Sequence, residues 1–118
     1  MTEVTRSHRE LAAGQWGKLS LAEQLANVGS EVGRMVRWRN RDSRLMNGAF
    51  DRALELLDLT LEDPRWRNRL FEIARARELL CAAALLEGGE YGTSLEDLDR
   101  YFLAFAVAAR NARSHSPA

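Results

Sequence analysis

Two histidines and a few acidic pairs are the residues of this chain whose chemistry suits holding a metal ion or moving a proton. A di-metal carboxylate site in a helical bundle needs Glu-x-x-His pairs on facing helices. His8 and His115 both fall outside the long helical stretches of the sequence. Glu55 and Asp58 have the spacing of an acidic pair that binds magnesium, but the first long helix carries no matching pair. We therefore expect no metal site and no cofactor.

Near the end of the chain, Arg110, Asn111 and His115 form an Arg-Asn-x-x-x-His sequence. This spacing resembles the motif of HEPN ribonucleases, which are all-α proteins that act as dimers. The resemblance covers six residues and implies that His115 acts as an acid or a base while Arg110 stabilises charge on the phosphate. A HEPN-like endoribonuclease that needs no metal is therefore the alternative function.

The densest basic segment of the chain surrounds a tryptophan. Sixteen of the seventeen positive residues are arginines, yet acidic residues bring the formal net charge to zero. Arginine presents a planar fork that suits phosphate and carboxylate groups, and tryptophan among arginines can stack on nucleic-acid bases. A solvated face neutralised by nearby acids is the other interpretation. The predicted binding surface, for which nucleic acid is one partner to test, consists of Arg34, Arg37, Trp38, Arg39, Arg41 and Arg44.

Hydrophobic residues recur at steps of three and four along four stretches, which is the period of an amphipathic helix. Ser20 and Glu23 form a capping box at the start of the first stretch, and Asp63 followed by Pro64 is typical of a helix start. The predicted helices cover 20–39, 43–61, 64–87 and 94–112. The predicted inner stripe of the third helix is Trp66, Leu70, Ile73, Ala74, Leu80 and Ala84.

Short links between helices of this length require neighbours to run in opposite directions. The predicted fold is therefore all-α, an antiparallel up-down-up-down four-helix bundle over 20–112. A short N-terminal extension, 1–19, precedes it, and a disordered tail, 113–118, follows it.

Gly29 and Gly33 interrupt the first helix one turn apart, and each costs about 1 kcal/mol relative to Ala inside a helix. Together with Ala26 they form a smooth strip that another backbone can approach closely. We interpret this strip as a packing surface within the fold, and a groove for a partner helix or a flat ligand is the alternative.

Two runs in the C-terminal half, LLCAAALL (79–86) and YFLAFAVAA (101–109), are apolar around nearly their whole circumference. A helix of that kind is normally buried on all sides, but a bundle of this length cannot cover both helices completely. A turn near Glu90 would place Leu80 opposite Tyr101 and join the runs into one surface. The sequence thus predicts an interface with a second copy or another protein; folding of 1–19 over it is the alternative. The expected interface residues are Leu79, Leu86, Leu103 and Val107.

Glu31 and Glu78 fall close to apolar stripes, and we expect them to form structural ion pairs with neighbouring arginines.

Cys81 is the single cysteine, so the chain has no internal disulfide. No segment approaches the roughly 20 apolar residues of a membrane span, and the first residues contain no signal-type apolar run. We expect a cytoplasmic protein without a membrane partner.

The segments LSLAEQLANVGSEV, RALELLDLTLEDPR and YFLAFAVAAR resemble a group of short, uncharacterised bacterial all-α proteins. That resemblance implies no function. In architecture alone, a small bundle with arginine-rich faces is similar to the accessory proteins of diversity-generating retroelements. The functional hypothesis is a non-enzymatic helical-bundle adaptor or accessory subunit, which self-associates as a homo-oligomer and binds a protein partner.

Overall fold

The computed structural model describes residues 14–86 and 92–114. No strand occurs in these two ranges, so the predicted all-α class is confirmed. A 3-10 helix separates the second and third α-helices. The elements are α1 (Leu21–Trp38), α2 (Ser43–Glu62), the 3-10 helix (Pro64–Arg69), α3 (Leu70–Leu85) and α4 (Leu95–Ser114). Residues 1–13 of the predicted extension (1–19), the predicted end of the third helix at Glu87 and residues 115–118 of the predicted tail (113–118) lie outside the described residues. Residues 113 and 114, which were predicted to belong to the disordered tail, are part of α4.

The helix starts follow the predicted capping residues. Ser20 accepts a hydrogen bond from the backbone N–H of Glu23, whose carboxylate accepts one from the N–H of Ser20, so the capping box is confirmed. Ser94 and Asp97 make the same reciprocal pair before α4. Each box satisfies N–H groups that the first turn of a helix leaves without partners.

Helix α1 lies between α2 and α4 and supplies the centre of the core. Leu25, Val28, Val32 and Met35 are all buried. Glu31 pairs with Arg52 of α2, while an earlier residue of α1, Gln24, bonds to Asp63 just beyond the end of α2. The order of these contacts shows that α1 and α2 run in opposite directions.

Helix α4 also runs opposite to α1 and approaches it closely. A Cβ placed on Gly29 would lie 2.7 Å from the Cβ of Phe102, which is fully buried. Farther along, the nearest neighbour of a Cβ on Gly33 would be the Oδ1 of Asp99 at 3.5 Å. The smooth strip is therefore a packing surface, as predicted.

A polar network fixes the end of the molecule where α2 meets the 3-10 helix. Gln24 is fully buried and donates to the carbonyl of Trp16 at 2.8 Å and to Asp63 at 3.1 Å, while it accepts from Trp66 at 2.9 Å. Trp16 itself donates to Thr60 at 3.0 Å. Side-chain hydrogen bonds from Arg65 are the main reason that the pKa of Asp63 falls to about 2.

The prediction of one continuous third helix over 64–87 was wrong. Trp66 has non-helical backbone angles, φ −105° and ψ 27°, and its indole donates a hydrogen bond to Gln24 of α1. A 3-10 turn contains fewer residues than an α-turn, so the break shifts the phase of the helix that follows. Consequently Leu70 and Ala74 of the predicted stripe are exposed. The buried residues of α3 are Ile73, Ala76 and Leu80.

We expect Gly29→Ala to lower the free energy of unfolding and Gly33→Ala to preserve or raise it. Overpacking against Phe102 costs about 1–3 kcal/mol, which exceeds the roughly 1 kcal/mol that alanine contributes inside a helix. At Gly33 only the helix gain applies, because the distance to Asp99 is an ordinary contact. Urea unfolding followed by circular dichroism measures both values. Equal effects of the two substitutions would contradict the close approach of α4 at Gly29.

Candidate interaction surfaces

The predicted basic binding residues lie at the end of the molecule where α1 turns into α2, but they differ in their partners. Arg34 pairs with the buried Glu31, which also accepts from Arg52 at 2.8 Å. Arg39 pairs with Glu96 at the start of α4. Trp38 is half-buried. Three of the six predicted binding residues are thus paired within the fold or partly buried. The predicted ion pair of Glu31 is confirmed.

Three arginines of this end have exposed side chains without a partner among the described residues: Arg37, Arg41 and Arg44. We call these three residues the basic triad. They lie on the last turn of α1, in the connection and on the first turn of α2. The second arginine cluster is at the opposite end, where Arg65 lies over the Trp66 ring at 4.4 Å. Because α1 and α2 run in opposite directions, the α1–α2 connection and the 3-10 helix after α2 lie at opposite ends of α2. The two arginine clusters are therefore separate.

A cleft of about 400 Å³ separates α3 from α4. Its walls are mainly apolar, although Glu72, Arg75 and Asp97 also line it. The hydrogen bond between Tyr101 and Glu72 crosses between the two helices. The residues that line this α3–α4 cleft are Phe71, Glu72, Arg75, Ala76, Leu79, Thr93, Asp97, Leu98 and Tyr101.

Tyr101 connects the cleft to an ion pair. Its hydroxyl donates to Glu72 at 2.9 Å, and Glu72 also pairs with Arg69 at 2.7 Å. Burial, followed by the hydrogen bond to Glu72, raises the pKa of Tyr101 to about 12. Hydrogen bonds from Arg69 are the main cause of the lowered pKa of Glu72. The hydroxyl of Tyr101 therefore reaches Glu72, which is on an earlier turn of α3 than Leu80, the residue predicted to lie opposite Tyr101.

The four predicted interface residues do not form one surface. Leu79 is half-buried in the α3–α4 cleft, and Leu86 is 47% exposed where α3 ends. Leu103 lines a groove between α4 and α1 instead, beside Gly29 and Phe102. Leu103 and Val107 are 60% and 47% exposed. Because successive helical residues are separated by about 100°, these two residues project to the side of α4 away from Tyr101, and we call them the α4 face.

The most exposed apolar side chains are on α3, outside the predicted set. Phe71 is 87% exposed and Leu85 is 72% exposed. They lie on one outward stripe of α3 with two charged residues between them. We call this stripe, which consists of Phe71, Arg75, Glu78, Ala82 and Leu85, the α3 ridge. The alternating steps of four and three along the sequence are the signal that could have identified it.

Of the two residues of the ribonuclease motif, Arg110 is exposed near the end of α4, whereas His115 lies outside the described residues. The ribonuclease hypothesis therefore stays a prediction. Glu78 is exposed and pairs with Arg75 at 3.4 Å rather than lying within the core. Cys81 is a half-buried free thiol. Within 14–86 and 92–114, no group of three or more potential metal ligands comes together.

Comparisons with known proteins identify no relative. No family model, curated protein or solved structure matches this chain. In the part of the chain that the structure describes, no helix combines the length and apolar character needed to cross a membrane.

We expect Tyr101 to stay protonated at pH 11, where an ordinary tyrosine is mostly ionised. The chain has two tyrosines, so Tyr91→Phe leaves a single titrating phenol whose ionisation is followed by ultraviolet absorbance. Because folding raises the pKa of Tyr101, its protonated hydroxyl stabilises the folded state. This contribution to the free energy of unfolding is fully present below about pH 10 and is lost as pH rises through about 12. Circular dichroism at each pH verifies that the helices persist.

Glu72→Gln should move this titration toward pH 10 without reaching it, because burial is the larger cause of the shift. Glu78→Gln is the matched control, since this carboxylate is exposed on the same helix. In the Tyr91→Phe background, a titration midpoint at pH 10 with the helical signal intact would mean that Tyr101 is not held in the cleft.

Proposed function

We propose that this chain is a non-enzymatic helical adaptor or accessory subunit that self-associates and binds a protein partner. The observation that carries the proposal is the exposure of large apolar side chains on α3, above all Phe71 at 87%. An aromatic side chain that exposes most of its surface to water gains almost none of the free energy that burial would provide, so it adds little to the stability of the isolated protomer. Contiguous apolar patches of this type are typical of protein interaction sites.

The separation of the apolar residues supports an adaptor in particular. The α3 ridge and the α3–α4 cleft form one surface, and Leu103 and Val107 lie on the other side of α4. A subunit that contacts both a second copy and another protein needs two such surfaces. Within this proposal the four helices form the up-down-up-down bundle expected from the sequence, and the protein acts in the cytoplasm.

We expect the wild-type chain to have a mass above 13.3 kDa in size-exclusion chromatography with light scattering at micromolar concentration. The double substitution Phe71→Ser, Leu85→Ser should return it to the monomer, because both side chains are exposed in the protomer. For the same reason the free energy of unfolding measured on the dilute monomer should change by no more than about 0.5 kcal/mol.

Leu45→Ser provides the control for this experiment. Leu45 is 45% exposed on α2, a different helix from the one that carries the α3 ridge, and its substitution should leave the mass unchanged. A wild-type chain that remains monomeric across the concentration range would contradict self-association.

The basic triad supports nucleic acid as a second kind of partner. Arg37, Arg41 and Arg44 have no side-chain partner in the described ranges, in contrast to Arg34 and Arg39. Arginines not engaged with carboxylates are available to phosphate groups. Because the triad offers about three phosphate contacts, such binding is expected to be weak and strongly salt-dependent.

Changing Arg37, Arg41 and Arg44 together to Gln should weaken binding of a single-stranded oligonucleotide and reduce the slope of log affinity against log salt by about 2, given roughly 0.7 for each phosphate contact. Fluorescence anisotropy at several salt concentrations measures both quantities. The control changes Arg67, Arg100 and Arg113 to Gln, which removes the same charge elsewhere. Equal losses in the two variants would show that only net charge matters and that the triad is not a site.

A further inference from the structure

The α3 ridge has the spacing of a helix–helix seam. Its members recur at alternating steps of four and three residues, from Phe71 to Leu85. This is the period at which two helices pack side chains as knobs into holes. Ala82 is half-buried and the other four members are exposed, so the ridge is open to a helix from another molecule.

The charges on the ridge select the direction of that helix. Arg75 and Glu78 lie at its middle, and their side chains are 44% and 52% exposed. A parallel copy of α3 would place each of these charges against its like. An antiparallel copy, related by a two-fold axis between Ala76 and Arg77, places Arg75 opposite Glu78 of the second copy, and symmetry repeats the contact. Opposite charges therefore meet in the antiparallel arrangement.

The sizes of the side chains agree with the same axis. Phe71 and Ala82 are equally distant from it, so each Phe71 lies opposite Ala82 of the second copy. The largest side chain of the ridge thereby meets the smallest, and alternation of large and small residues is what allows facing layers to fill space. Charge complementarity and size complementarity thus favour the same register, in which Leu85 lies opposite position 68, just before the start of α3 in the second copy.

We infer that a second copy of this chain docks on the α3 ridge as an antiparallel helix pair. Reciprocal Arg75–Glu78 contacts form its centre, and Phe71–Ala82 contacts flank them. This inference rests on the self-association proposed above and specifies its surface and register. One four-turn helix buries less than the roughly 800 Å² per partner of a standard interface, so the dimer is expected to be concentration-dependent.

The test uses charge reversal in the full-length chain. Wild type should change from 13.3 kDa to twice that mass as its concentration rises through the micromolar range. Arg75→Glu alone brings like charges together, as does Glu78→Arg alone, and each should weaken the dimer at least tenfold. An equimolar mixture of the two variants restores both opposite-charge contacts, so it should form a heterodimer with wild-type affinity. The double variant R75E/E78R should form a homodimer for the same reason.

Arg100→Glu is the matched control, because Arg100 belongs to an exposed i,i+3 ion pair with Asp97 on α4. It should leave the mass unchanged, and circular dichroism verifies that every variant is helical. Single variants that dimerise like wild type, or a mixture that stays monomeric, would overturn the ridge interface while leaving self-association through another surface intact. A wild-type monomer at all concentrations would overturn both proposals, and it is the result expected if residues 1–13 or a different protein occupies the ridge.

Discussion

The central position of α1 is the constraint on which the rest of this structure depends. Its apolar stripe packs against α2 on one side, and the absence of a side chain at Gly29 lets α4 approach on the other. Two helices therefore bury one face each against the same neighbour. The helix that remains, α3, has no long contact with α1 and is joined to the assembly mainly through Ile73, Ala76 and Leu80.

This arrangement explains why a helix as apolar as α3 leaves large side chains in water. Only Ile73, Ala76 and Leu80 of α3 are buried. Leu79, Ala83 and Ala84 are half-buried against the core, whereas Phe71 and Leu85 face solvent although they are apolar. Polar contacts position α3 on both flanks: Arg77 bonds to Asp58 of α2 at 2.8 Å, and Glu72 accepts from Tyr101 of α4. Those contacts fix the orientation of α3 and thereby the direction in which Phe71 and Leu85 project.

Much of the fold was predictable because its signals are local. The capping boxes at Ser20 and Ser94 need only residues three positions apart, and the helical period of α1 and α2 is regular. The break at Trp66 was not predictable from local signals, because the hydrogen bond that accompanies it joins Trp66 to Gln24, 42 positions away in the chain. That break rotates α3, so the sequence identified an apolar surplus in the C-terminal half but assigned it to Leu79 and Leu103 rather than to Phe71.

The charged residues of the α3 ridge were hard to interpret from sequence because the same pattern is compatible with a local ion pair and with the proposed helix–helix seam. An Arg and a Glu three positions apart form a local ion pair that stabilises an exposed helix by about 0.2–0.5 kcal/mol. Between two helices, charges at seam positions lose hydration and contribute little net stability, but they make one register more favourable than its alternatives. A helix–helix seam with charges at its centre and apolar residues at its ends is therefore expected to select one register but to bind with modest affinity.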